Sequence, residues 1–266
     1  MKQAIKQLVG SLAAVAFSSR ASTLADGAPP ADFLDRLIKS TLIQRAVADG
    51  DHKVVRGQLA SYWEGDGGTH FYNSYAARFA DVFLKEHYQI IEELVKILES
   101  DSGSYQSLVE IGCGNGDVLN HLASELTSVE SFKGIDINKD IIEINKQTHQ
   151  HSKISFDHGD ALNLLSESAQ PGTILLSYGG VMEYFLDTEL ATMFSSLKSQ
   201  SPALIVLVEP LYDGFDLDAD MDSKPGGAEC SFSHNYPNLV KQAGFDIVFQ
   251  ELKQNDFSWV MLIAKG

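Results

Sequence analysis

Leu108-Val-Glu-Ile-Gly-Cys-Gly-Asn-Gly-Asp-Val-Leu119 decides how this chain folds. An apolar run enters, glycines at 112, 114 and 116 turn the backbone, and a helical pattern leaves from Val118. Glycines at such positions permit a sharp turn and a close approach of backbone to ligand. A dinucleotide loop needs a further glycine to complete G-x-G-x-x-G. That position is Asp117. An acid at the helix start opposes a pyrophosphate and suits a cationic ligand. Glu110, in the strand itself, adds a second acid.

Outward from the loop, short apolar runs alternate with helical stretches. The runs are Leu108–Ile111, Phe132–Ile137, Ile154–Phe156, Thr173–Leu176 and Ala203–Val208. Such alternation predicts right-handed crossovers and a parallel sheet. Phe245–Leu252 and Phe257–Ile263 are two strands with a short polar connection, as in an antiparallel hairpin at the sheet edge. Asp136 follows Gly116 by 20 residues, at the end of the second strand. An acid there accepts from both hydroxyls of a ribose, and it also suits the cap of the next helix. Asp160, after the third strand, is placed either for an adenine amine or as a helix cap.

These pieces resemble the class I S-adenosylmethionine-dependent methyltransferases over roughly residues 104–266. The family's E/D-x-G-x-G-x-G reads here Glu110-Ile-Gly-Cys-Gly-Asn-Gly116. The resemblance implies a seven-stranded, mostly parallel Rossmann-like sheet with helices on both faces and a terminal antiparallel hairpin. It assigns S-adenosylmethionine to Glu110, Gly112, Cys113, Gly114, Gly116, Asp136, Ile137, Gly159, Asp160, Ala161, Ser177 and Tyr178. The expected division is an N-terminal helical cap, 1–100, and a cofactor-binding domain, 101–266.

Four segments are candidates for the acceptor side. Glu183 and Tyr184 follow the fourth strand, where Glu183 suits holding or deprotonating an amine or hydroxyl. His70-Phe-Tyr-Asn-Ser-Tyr-Ala-Ala-Arg-Phe79 looks like a lid. Its Tyr72 is assigned to the substrate or the cofactor carboxylate, Tyr75 to the cofactor, and Arg78 to pairing with that carboxylate. Glu209 to Glu229 carries seven acids and one base, Lys224, and reads as an acidic loop with Glu209 and Tyr212 toward the substrate. Its Asp218, Asp220, Asp222 and Glu229 have a calcium-loop spacing. Ser223 stands where that loop needs glycine, however, and Pro225 interrupts it, so no metal is assigned. Beyond it, His234 is a candidate base and Tyr236 a candidate substrate contact.

Lys and Arg number 20 and Asp and Glu 36, for a net charge of −16 over 266 residues. That balance argues against nucleic acid, and the acids between Glu209 and Glu229 favour an amine ahead of a hydroxyl as the small-molecule acceptor. No apolar run reaches the ~20 residues of a membrane span. Two cysteines fit a reducing, cytoplasmic setting. Residues 1–25 hold Lys2, Lys6 and Arg20 and no acid, which reads either as an amphipathic helix or as a targeting peptide. The helical reading places Ile5, Leu8, Val9, Leu12 and Ala16 at helical spacing on one face. His70 to Leu98 reads as one long helix, preceded by a loop at Gly65–Gly68. A non-methylating cofactor sensor is the rival function. A dehydrogenase is disfavoured by Asp117.

Overall fold

The computed structural model describes residues 2–25, 28, 30–74, 79–227, 229–254 and 258–266, with side chains from residue 9 onward except 73 and 74. Tyr75, Arg78 and Phe257 lie outside the described residues. Six helices come first: α1 (Lys2–Ala16), α2 (Ser18–Ala25), α3 (Phe33–Ala48), α4 (His52–Glu64), α5 (Asp66–Ser74) and α6 (Gln89–Ser100). A stretch of wider, π-type turns, Phe79–His87, precedes α6. Four units of strand and helix and a fifth strand follow: β1 (Ser107–Ile111), α7 (Asp117–Glu125), β2 (Ser131–Asp136), α8 (Lys139–Thr148), β3 (Ile154–His158), α9 (Ala161–Ser168), β4 (Thr173–Tyr178), α10 (Asp187–Lys198) and β5 (Ala203–Leu211). The chain ends with β6 (Lys224–Gly226), β7 (Ser231–Ser233), α11 (Tyr236–Gln242), β8 (Asp246–Gln254) and β9 (Ser258–Lys265).

Seven strands form one sheet in the order β3-β2-β1-β4-β5-β9-β8. β1 to β5 pair in parallel, and β9 runs antiparallel between β5 and β8. This is the expected Rossmann-like arrangement. Alternation along the strands explains its three layers. Leu204, Val206 and Val208 of β5 face α6 and α7, while Ala203, Ile205 and Leu207 face α9, α10 and α11. A strand buried on both faces reads as an unbroken apolar run, as β5 does. Strand order reverses between β1 and β4, and a crevice opens there at the strands' C-terminal ends.

The N-terminal helices build two further small cores. Ala13 and Ala14 of α1 pack with Ile38 of α3, and Ala46, Val55 and Leu59 pack with Phe232 of β7. The face of α1 differs from the expected one. Val9, Leu12 and Ala16 point to solvent, because small residues take the contact: a Cβ on Gly10 would lie 2.1 Å from Thr41. The side chains of Ile5 and Leu8 lie outside the described residues. The expected helix from His70 differs in its start and its turns: α5 starts at Asp66 and π-type turns, Phe79–His87, come before α6, so Gly65 alone separates α4 from α5. α6 packs into the sheet core through Ile90, Ile91, Leu94 and Leu98. The acidic segment is also more ordered than a loop. Glu209 lies inside β5, and β6 and β7 form a hairpin docked on α3 and α4 through Phe232.

Candidate active site

A cavity of about 1080 Å³ opens at the C-terminal ends of β1 to β5, beneath α4, α5 and the β6–β7 hairpin. Small-molecule sites span ~300–1,000 Å³, so the space accommodates a nucleoside and a second molecule. Gly112 and Gly114 line one end with φ of 63° and 49°. A Cβ on Gly112 would meet Val181 at 2.4 Å, so the turn is close-packed as well as left-handed. Asn145, buried in α8, donates to the Gly114 carbonyl at 2.6 Å and fixes the loop from behind.

Three acids surround that loop. Asp136 is buried, and its carboxylate accepts from Asn138 N (2.8 Å), Gly114 N (2.9 Å) and the Tyr72 hydroxyl (3.3 Å). Burial raises its pKa, and the two amide donors oppose the rise. Glu110 lines the same end, and its Oε2 is buried without a hydrogen-bond partner. Burial first, then the nearby Asp136 and Asp117, pushes its carboxyl well above the usual range. Asp117 opens α7 and accepts from Asn115 at 2.6 Å. Farther along, Asp160 lines the wall. One of its oxygens caps α9 through Leu162 N at 2.8 Å, and the other pairs with Arg56 at 3.0 Å.

The opposite end is aromatic and acidic. Trp63 packs against Phe71 at 5.1 Å, Tyr184 at 5.3 Å and Tyr72 at 6.1 Å between ring centroids. Glu183, Asp213 and Glu229 line it, and the Tyr184 hydroxyl donates to Glu229 at 3.3 Å. Burial, with Glu183 and Glu229 adding to it, holds the Tyr184 phenol far above its usual pKa. Nine acids line the whole cavity among the described residues. Arg56 is the one base, and it is already held by Asp160 and by Glu189 at 3.3 Å.

Residues 108–200 match the family model of a methyltransferase domain. That stretch runs from the glycine loop through Asp136 and Asp160 to α10. No curated protein matches this chain by sequence. Among solved structures, the chain resembles magnesium protoporphyrin IX methyltransferase from Synechocystis PCC 6803 with bound SAH. The TM-score is 0.55 at 17% identity, over 80% of this chain and 100% of that one. A SAM-dependent methyltransferase from Leishmania major gives 0.55 at 16% identity, over 79% and 83%. One from Clostridium acetobutylicum ATCC 824 gives 0.51 at 8%, over 73% and 98%. Among the described residues, no helix of this chain is long and apolar enough to cross a membrane.

The fold brings many of the expected residues to one cavity: Glu110, Gly112, Cys113, Gly114, Asp136, Ile137, Gly159, Asp160, Ala161, Tyr178, Glu183, Tyr184, Tyr72 and Tyr212. Five others are placed elsewhere. Gly116 is the residue that caps α7, and a Cβ there would meet Phe156 and His149 at 3.0 Å. Ser177 turns away to donate to Glu209 at 2.5 Å. Glu209 is fully buried in β5, where it also accepts from Val181 and Met182 amides at 3.0 and 3.1 Å. It holds the loop that carries Glu183 and does not reach the cavity, and burial lifts its carboxyl to about 8. Tyr236 is fully buried beneath that loop. His234 is likewise buried, with Nδ1 2.6 Å from Ser223 Oγ, and desolvation lowers its pKa to about 4. A base that weak and that enclosed does not serve as a proton acceptor for substrate. The Asp216–Asp220 segment bonds mainly to itself and to Lys224, so of this stretch Asp213 and Glu229 reach the cavity.

Sequence reasoning missed Arg56 and Asn138. Arg56 lies on α4, whose start is signalled by Asp51 capping Val54 N. Asn138 caps α8 through Ile141 N at 3.1 Å. Its amide also donates toward Trp63 O (3.0 Å), Thr69 Oγ1 (3.1 Å) and Gly65 O (3.2 Å), pinning the α4–α5 corner over the cavity.

Proposed function

We propose that this protein methylates a small-molecule amine, with the helices before the sheet acting as a cap over the acceptor. The observation that carries the reading is the lining of the cavity: nine acids, and one base that is already paired. Such a field attracts a cation and repels carboxylates and phosphates. The residues at the glycine-loop end suit S-adenosylmethionine. The orphaned Glu110 Oε2 offers an acceptor to an α-amino group, and Asp136 offers a carboxylate to a ribose. A Cβ at Gly114 would crowd the cavity beside Tyr72, as it would for any ligand lying against this backbone. Asp117 stands where a pyrophosphate would be repelled.

When bound, the cofactor supplies a methyl group already activated as a sulfonium. What remains for the chain is alignment, exclusion of water and handling of one proton. Trp63, Phe71 and Tyr184 form a wall against which the acceptor's apolar body packs. Glu183 and Glu229 flank that wall and hold the amine. Glu183, on the loop clamped by Glu209, takes the proton that frees the attacking lone pair.

The experiment is transfer of labelled methyl from S-adenosylmethionine into a metabolite extract separated by charge. Label in the cationic fraction, with matching release of S-adenosylhomocysteine, is the expected result. Label confined to anionic compounds contradicts the acceptor class. Tight binding of S-adenosylhomocysteine with no transfer to any fraction points to the sensor instead.

A further inference from the structure

We propose that Tyr72 competes with the cofactor's ribose for Asp136, so that cofactor binding displaces Tyr72 and resets the aromatic wall of the acceptor site. The proposal rests on reading the glycine-loop end as the cofactor site. An ionised carboxylate offers about four lone-pair positions, two on each oxygen. On Asp136, Oδ1 accepts from Asn138 N at 2.8 Å, and Oδ2 accepts from Gly114 N at 2.9 Å and from the Tyr72 hydroxyl at 3.3 Å. The two amides belong to the loops that form the site, and they stay. One position is left, and a ribose presenting two hydroxyls needs two. The hydroxyl on the cap helix is the donor that has to yield.

A second observation points the same way. A Cβ on Gly114 would lie 2.6 Å from the Tyr72 ring, so the ring rests against the glycine loop with its hydroxyl turned to Asp136. Its displacement is transmitted outward, because Tyr72 touches Phe71 at 5.7 Å and Trp63 at 6.1 Å between centroids, and Trp63 in turn packs on Tyr184. Tyr72 is therefore a positioning residue that couples the two ends of the cavity. Both tryptophans of the chain, Trp63 and Trp259, line that cavity, which makes the coupling visible.

The test is calorimetry on the full chain and on Tyr72→Phe, with S-adenosylhomocysteine and with its 2′,3′-dideoxy analogue. Removing one competing hydrogen bond should tighten S-adenosylhomocysteine about fivefold and leave the dideoxy analogue unchanged. Unchanged or weaker binding of S-adenosylhomocysteine to Tyr72→Phe overturns the proposal, as does an equal gain for both ligands. If the unmutated chain binds neither ligand, the cofactor reading fails and the inference with it. Trp259→Phe supplies a reading that does not depend on the folding of Tyr72→Phe. Trp63 emission should shift with S-adenosylhomocysteine and much less with the dideoxy analogue. Equal shifts with both overturn the coupling.

Discussion

The two ends of the cavity are built by opposite strategies. The glycine-loop end comes from consecutive strand–loop–helix units between Leu108 and Ala161, and its acids are held by nearby backbone: Asp136 by Gly114 and Asn138 amides, Asp160 by Leu162 N. The aromatic end is assembled from α4, α5, the Glu183 loop and the β6–β7 hairpin, so its parts stand far apart in sequence. Its contacts are ring on ring, with one phenol on one carboxylate. Fixed backbone donors give a preorganised site for a constant ligand. Side-chain packing between separate elements gives a wall that can change without disturbing the sheet. Under the proposed function, that difference divides the labour between a common cofactor and a particular acceptor.

The comparison breaks most visibly at the glycine loop. Gly114→Val puts a branched side chain at a φ of 49° and into the Tyr72 ring. S-adenosylhomocysteine binding should be lost by at least about a hundredfold in a chain that keeps its cooperative melt, given the strain of left-handed backbone and the filled approach. Normal binding would reduce the loop to a turn. At the other end the effect should appear in turnover. Glu183→Gln should lower kcat by about a hundredfold, the low end for loss of a general base, with S-adenosylhomocysteine affinity unchanged. A variant in which both fall together would erase the distinction between the ends.

A smaller effect tests the clamp between them. The Glu209 carboxyl is raised to about 8 in the fold, from an ordinary 4.5. The native state therefore holds a proton that the unfolded chain has lost, and stability falls as pH rises from about 4.5 to about 8. In Glu209→Gln that contribution disappears, so thermal melts should lose less stability between pH 5 and 8 than the parent's do. Parallel profiles would mean that Glu209 does not titrate in this range. Smallest of all, Asp216, Asp218 and Asp222 changed together to Asn should leave the acceptor KM within about twofold at moderate salt, since these side chains do not line the cavity. A large rise in KM would return the acidic segment to the substrate path.

What was legible from sequence follows the same line. The order of the five parallel strands, the glycine loop and Asp136 are local signals, each carried by a few consecutive residues. Placement of Glu209, His234 and Tyr236 was not legible, because a polar residue after a strand looks alike whether it faces the cavity or is buried beneath a loop. Glu209 is the clearest case: β5 continues to Leu211, past the apolar run that marked it, and carries the acid into the core. Arg56 was missed with its helix, and its pairing with Asp160 spans 104 residues. No spacing rule reaches that far.

The central claim is that the acidic, glycine-lined end of the cavity takes a sulfonium nucleoside and refuses a pyrophosphate. Calorimetric titration of the unmutated chain with S-adenosylhomocysteine and with NAD tests it most directly. Saturable binding of S-adenosylhomocysteine at one site per chain and no heat of binding with NAD are the expected results. Saturable binding of NAD, or none of S-adenosylhomocysteine, would contradict it.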